Sequence, residues 1–385
     1  MKKIVIGLFL GSMVWGSVAQ AVPAFARKHQ AECTQCHSAW PSLNAAGRAY
    51  KENGYRMTRD EASDFLNGNN SIPVTAVLKA RPYEKSDSGE KTLRVLHEAE
   101  VIVAGVMAKD FSGFFELEAE DDVGNGFEVQ LPIAAIGWHP SQAANVQMSW
   151  GPVTWSDPYD NYTNPRKMTR NRASAINERF DGADNNGRLR DSRQNLTVYG
   201  RPIENIFYSV GISGVNGDPL AEDGDIVSGR LAVDVTPDVM VGAMVMSGTC
   251  ALNPNSFVSN CGTADRDFTR TGIDVQADIG DIRVSGAYLQ AKGDNVAATS
   301  EAENNSAFVE ARYIISENNQ PKWMPLIRVD NYERNNGADS YDEITLHLTR
   351  YFDQNVRGFI EYIDKSAPLS ANDDSTFTAQ LELGF

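Results

Sequence analysis

The chain has 385 residues, with 51 acidic against 35 basic side chains and a formal net charge of −16. Nucleic-acid binding is excluded as a principal role, because neutralising phosphates takes clustered Lys and Arg. The 31 glycines, the abundant Asn, Asp and Ser and a mean hydropathy of −0.37 exclude a helical membrane protein and argue against a helix bundle.

Residues 1–21 read as a secretory signal. Lys2 and Lys3 form a basic start, Ile4 to Val14 an apolar stretch, and Ala19-Gln20-Ala21 a small-x-small cleavage site. That stretch is too short to span a bilayer, and no later segment approaches the ~20 continuous apolar residues of a transmembrane helix. An exported chain is expected, and residence in a membrane would have to use strands.

Cys33-Thr34-Gln35-Cys36-His37 has the spacing of c-type haem attachment. Two thiols on one turn add to the haem vinyl groups, and the next imidazole turns to the iron. A zinc half-site wants a second ligand pair nearby, and a redox Cys-x-x-Cys wants a βαβ context. Neither is present, so one covalent haem c is expected, with His37 as proximal ligand. Phe25, Trp40, Leu43, Tyr50 and Tyr55 supply apolar and aromatic surface to keep water from a porphyrin, and Arg48 or Lys51 is placed to pair with a propionate. For the sixth coordination position the sequence offers Met57, His29, a lumen-facing His347, or no ligand. His97 falls with Leu93, Val95 and Val101 on an expected lipid-facing side.

This segment resembles the N-terminal haem segment of the fused monohaem cytochrome-porins of the bacterial outer membrane, known best from iron-oxidising bacteria. The matching residues are Pro23-Ala24-Phe25-Ala26-Arg27, the Cys33 to His37 motif, Pro41-Ser42-Leu43, Gly47-Arg48-Ala49-Tyr50-Lys51 and Gly54-Tyr55. Ala46 departs from the pattern, where an aromatic often precedes the Gly-Arg pair. The resemblance covers Pro23 to Tyr55 only. It implies an electron-transfer protein of the outer membrane, with Fe(II) as donor, a periplasmic cytochrome or copper protein as acceptor, and Fe(II) oxidation as its activity.

From about Ile72 onward the sequence alternates with period two. Examples are Phe115-Glu116-Leu117-Glu118-Ala119-Glu120, Phe127 to Ala134 and Ile344-Thr345-Leu346-His347-Leu348. Short connections (Lys109-Asp110, Pro202 to Asn205, Thr236 to Asp238, Gly280-Asp281, Asp353 to Asn355) alternate with long ones near 84–91, 152–192, 215–225, 249–266, 293–304 and 365–374, the rhythm of outer-membrane barrels. The expected fold is all-β: an outer-membrane β-barrel of about 16 antiparallel strands in contact with outer-membrane lipid, ending at Phe385. The domains are then a signal (1–21), a short α-helical haem segment (22–66) and the barrel (67–385), with both termini on the periplasmic side.

With apolar residues facing lipid, Glu98, Glu100, Glu116, Glu118, Glu120 and Glu128 line the lumen and make an acidic wall suited to a cation. The 152–192 connection is basic, carrying Arg166, Lys167, Arg170, Arg172, Arg179, Arg188 and Arg190. It either folds inward as a constriction or pairs outside with anionic lipopolysaccharide. Cys250 and Cys261, in a turn-rich stretch of an exported chain, are expected to close a disulfide loop. Two functions follow: electron transfer through a haem in or at the lumen, or a diffusion channel with a haem appendage that senses or relays redox state.

Overall fold

A computed structural model describes residues 23–61, 63, 73–87, 89, 91–122, 126–162, 168–178, 188–214, 226–250, 266–294, 301–334, 336–367 and 374–385. The chain starts with α1 (Pro23–His29), a 3₁₀ turn (Cys33–Gln35), the two-stranded ribbon β1 (His37–Ala39) and β2 (Ser42–Leu43), and α2 (Ala45–Glu52). Asn44 caps α2 by accepting a hydrogen bond from the Gly47 amide at 3.0 Å.

The strands then follow in hairpin succession: β3 (Val74–Ser86), β4 (Thr92–Ala108), β5 (Phe111–Asp122), β6 (Gly126–Trp138), β7 (Asn145–Gly151), β8 (Arg193–Ile203), β9 (Ile206–Ser213), β10 (Ile226–Thr236), β11 (Val239–Cys250), β12 (Arg266–Ile279), β13 (Ile282–Asp294), β14 (Glu301–Tyr313), β15 (Ile315–Glu317), β16 (Gln320–Arg334), β17 (Asp339–Asp353), β18 (Val356–Ser366) and β19 (Asp374–Gly384). A short helix, α3 (Ser174–Asn177), lies in the β7–β8 connection. Ile314 interrupts one strand to give β14 and β15, so β3 to β19 make sixteen strands, and pairing of β19 with β3 closes the barrel.

The alternation is inverted relative to a soluble protein. Along β17, Ile344, Leu346 and Leu348 are 36–48% exposed, whereas Thr345, His347 and Thr349 are at most 4% exposed. Only a lipid solvent outside and a polar lumen inside make that arrangement stable. Aromatic side chains stand outward beside the short turns, among them Phe111, Trp138, Tyr313, Trp323, Phe352 and Phe385, where a membrane–water interface favours them.

Register breaks move two residues from their expected faces. Ile133 was expected outside with Phe127, but the β5–β6 register shifts between Glu116 and Glu118, at Pro132. Ile133 is therefore buried in the lumen, since one extra residue reverses the side-chain parity. A shift between Lys79 and Arg81 against β4 likewise turns His97 inward, beside Glu98, rather than toward lipid. β7 ends at Gly151, and Pro152 begins the long connection.

The long connection folds inward, which decides between its two expected positions. Val153, Tyr162, Ala173, Ala175 and Leu189 from it pack against Met244, Met246, Phe268, Leu289 and Phe308 of the wall. This places an apolar core inside the lumen on the β10–β16 side. Asp157 accepts from Arg230 Nε at 2.8 Å, and the Ser174 amide donates to Asp330 Oδ1 at 2.7 Å. Arg166, Lys167 and Arg179 lie outside the described residues.

Candidate functional site

The N-terminal segment lies inside the barrel at the end that carries the short turns. Arg56 Nη2 donates to the carbonyls of Ala108 and Phe111 at 3.2 and 3.1 Å, and the Cys33 amide donates to Gln354 Oε1 at 3.0 Å. Ser42 Oγ donates to Asp160 Oδ2 at 2.8 Å and accepts from Arg283 and Arg312 at 3.0 and 2.6 Å. The segment is thus fixed to turns and wall around the barrel and to the inward-folded connection.

Between this segment and the wall lies a mainly apolar cleft holding about 1090 Å³ of space not filled by atoms, part of it open to solvent. Cys33, Cys36 and His37 all line it. His37 Nδ1 is 3.1 Å from the Pro41 carbonyl. That oxygen only accepts, so Nδ1 carries the proton and Nε2 bears the ring's lone pair, the tautomer a metal-ligating imidazole needs. A Cβ on Gly47 would lie 2.1 Å from the Cys36 carbonyl oxygen, so glycine lets α2 approach the motif. Phe25 stacks on Tyr55 at 5.3 Å and meets Tyr50 edge-on at 5.1 Å, and Leu43, Phe114 and Trp155 extend the apolar wall. This donor set and aromatic lining fit a covalent haem c.

The remaining sequence candidates separate by position. Met57 and His29 both line the cleft. Met57 is 44% exposed, and His29 Nε2 is 3.0 Å from Tyr50 Oη. His347 is absent from the cleft: its Nδ1 is 2.8 Å from Glu361 Oε2 and its Nε2 is 2.7 Å from Thr349 Oγ1, so both ring nitrogens are engaged in the wall. Trp40 is buried, with Arg357 over its ring at 5.0 Å, and lines the neighbouring cavities instead. Arg48 faces Asp278 at 3.6 Å and stands over Tyr159 at 5.1 Å. Lys51 is the cation that lines the cleft, donating to the Asp157 carbonyl at 2.6 Å. Burial pushes its ammonium down, against the pull of Asp157, Asp160 and Glu52. The side chains of Cys250 and Cys261 lie outside the described residues.

A polar cavity holding about 2350 Å³ of space not filled by atoms, part of it open to solvent, lies farther along the lumen. Glu98, Glu100, Glu116, Glu118 and Glu120 line it as expected, but Glu128 is exposed and does not. The wall is not uniformly negative, because seven cationic side chains face seven carboxylates across the cavity. The cations include Arg170, Arg172 and Arg190 of the inward-folded connection, whose basic composition was the signal for this pairing. Burial and nearby Arg190 push Arg172 down to about 10. Register stacks Glu98 against Glu120 and Glu100 against Glu118. One row nearer the short turns comes Glu116, which, with Pro41, lines both the cavity and the cleft.

No protein-family model matches this chain, and no curated protein matches its sequence. Solved structures do match in shape. OmpT, an outer membrane protein of Vibrio cholerae, in-vitro folded and in trimer form, is 13% identical with a TM-score of 0.57 over 81% of this chain and 98% of that one. Salmonella typhi OmpF, in complex with daunomycin, is 15% identical with a TM-score of 0.55 over 81% and 97%. At such identities the likeness is one of fold, and the chain has the sixteen-strand barrel fold of outer-membrane porins.

Proposed function

We propose that this protein carries electrons across the outer membrane through one covalent haem c bound to Cys33, Cys36 and His37. When bound, the haem supplies one-electron redox chemistry. The chain's own residues hold it in place: the two thiols anchor it, the Pro41 carbonyl orients His37, and Phe25, Tyr50, Tyr55, Phe114 and Trp155 exclude water. The observation that carries this reading is the shared lining. Glu116 and Pro41 border both the cleft and the lumen cavity, so a donor in the lumen is separated from the cleft by side chains rather than by a ~30 Å apolar layer.

In this reading residues 1–21 are the export signal, 22–66 the cytochrome segment and 67–385 the barrel, as in the fused cytochrome-porins. The short turns and both termini face the periplasm, where a cytochrome or copper protein accepts the electron. Fe(II) is the donor, entering from the long-connection side along the glutamate rows. The porin fold favours one other function, a diffusion channel with a redox appendage. The inserted N-terminal segment and inward-folded connection obstruct the lumen, which weighs against it.

The test is stopped-flow reduction of the purified protein by Fe(II) and by a neutral reductant. Fe(II) should reduce wild-type haem, and changing Glu116 and Glu118 together to Gln should slow that reaction severalfold while leaving the neutral reductant's rate in place. The Cys33→Ala, Cys36→Ala double variant should form a heat-modifiable barrel without haem staining. Staining that survives would refute attachment at Cys33 and Cys36, and free ion conductance of the wild type in planar bilayers with no Fe(II) reactivity would favour the channel.

A further inference from the structure

On the lumen wall, on the long-connection side of the glutamate rows, a histidine is buried among carboxylates with an arrangement that a polar wall alone does not require. His97 is 2% exposed. Its Nδ1 lies 2.6 Å from Asp121 Oδ1 and 3.3 Å from Arg94 Nη1; the much shorter contact is to the carboxylate, which puts the proton on Nδ1, while Arg94 pairs with the same Asp121 oxygen at 3.3 Å. Nε2 then carries the lone pair, and it makes no hydrogen bond among the described residues. It is aimed between Glu120 Oε1 at 3.4 Å and Glu98 Oε2 at 4.0 Å. The three ligand atoms lie within 4.8 Å of one another.

Three electron-pair donors converging without a donor hydrogen repel one another unless a cation stands between them. Ligand atoms held at about 2.1 Å from one metal ion lie roughly 3.0–3.5 Å apart; the Nε2–Glu120 Oε1 spacing of 3.4 Å already matches this, and Glu98 Oε2 at 4.0 Å needs a small side-chain rotation to close on the same ion. We propose that His97, Glu98 and Glu120 form a divalent-cation site, with Asp121 as the residue that orients the imidazole. One imidazole nitrogen with two carboxylate oxygens suits first-row ions such as Mn²⁺, Fe²⁺ or Zn²⁺.

The backbone is shaped to make this cluster. Glu98 and Glu120 are direct cross-strand partners, a like-charge pairing that costs stability unless neutralised. The register shift in β3–β4 turns His97 to the same side as Glu98. An adjacent group, Glu98 with Glu100 and Glu118, also has metal spacing, but the Lys79 ammonium already bonds Glu98 Oε1 and Glu100 Oε1 there. Lys79 leaves Glu98 Oε2 directed at His97. The site stands independently of any haem chemistry.

The test uses the full-length holoprotein in detergent, titrated with Mn²⁺ while the unbound ion is counted by its EPR signal. One site per chain is expected. His97→Ala and Glu120→Gln should each weaken it at least tenfold, and Asp121→Asn should do so by about 10–100-fold, as loss of an orienting carboxylate does. Glu317→Gln, exposed at the end of β15 on the short-turn side, should leave affinity unchanged. Heat-modified gel mobility checks folding, and if His97→Ala fails to fold, Glu120→Gln at its 42% exposed side chain decides. Wild-type uptake no greater than that of Glu120→Gln, or equal loss in Glu317→Gln, would overturn the proposal.

Discussion

Arg201 of β8 grips Glu52 at the end of α2 with two hydrogen bonds, Nε to Oε2 at 2.7 Å and Nη2 to Oε1 at 2.9 Å. The same guanidinium reaches Asp234 Oδ2 at 2.7 Å and Tyr159 Oη at 2.9 Å. One wall residue thereby ties the N-terminal segment, the neighbouring strands and the inward-folded connection together. Arg201→Ala leaves Glu52 nearly buried without its counter-charge, a change that typically costs about 3–5 kcal/mol. The cost should fall on docking of the N-terminal segment, read as faster proteolysis within residues 23–61 with barrel heat-modifiability retained. Arg201→Lys keeps the charge but not the two-pronged geometry, so it should rescue only in part. Unchanged proteolysis in Arg201→Ala would show that other contacts suffice.

Gly47 sets the distance between α2 and the cysteine motif. A Cβ there would lie 2.1 Å from the Cys36 carbonyl oxygen and 2.9 Å from Leu43 Cδ2, and backbone cannot yield as a flexible side chain can. Gly47→Val should cost about 1–3 kcal/mol through overpacking and reduce the haem-stained fraction, with the barrel intact. Ala45→Val, on the exposed first turn of α2, is the control and should stain like wild type.

His139 gives the docked segment a pH dependence. It is buried beside Gly54, whose φ of +66° and whose close approach to the imidazole both call for glycine. Its Nε2 is 2.7 Å from Ser112 Oγ. Burial first, then the charge of Arg56, pushes its pKa down to about 4. A histidine kept neutral when folded contributes stability that is full above its unfolded pKa of about 6.5 and is lost as pH falls toward 4. The loss is on the order of 3 kcal/mol. Protection factors at residues 53–56, each taken against the intrinsic exchange rate at that pH, should fall across that window and stay flat with pH in His139→Gln. An equal loss of protection in both proteins would assign the effect to other groups.

The cysteines near the long β11–β12 connection should be joined. Mass spectrometry of the exported protein under non-reducing conditions should find Cys250 linked to Cys261, with a stabilisation of about 2–3 kcal/mol from closing a short loop and no effect on haem reduction. Both thiols alkylating without a reductant would count against the link.

The barrel was legible in the sequence because strand alternation is local. The Ile344 to Leu348 pattern, repeated between short and long connections, already specifies which side chains face lipid and which face the lumen, and the Cys33 to His37 motif is fixed by covalent spacing. Parity failed where a single extra residue entered a pair, at Pro132 and around His97, because a bulge leaves almost no trace in composition. What lies far apart in the chain only the tertiary structure decided. Closure of the barrel brought Glu116 to both the cleft and the cavity, turned the basic connection inward against the glutamates, placed Lys51 rather than Arg48 beside the cleft, and kept His347 in the wall. Those outcomes depend on packing and charge pairing between residues up to hundreds of positions apart, which no local pattern encodes.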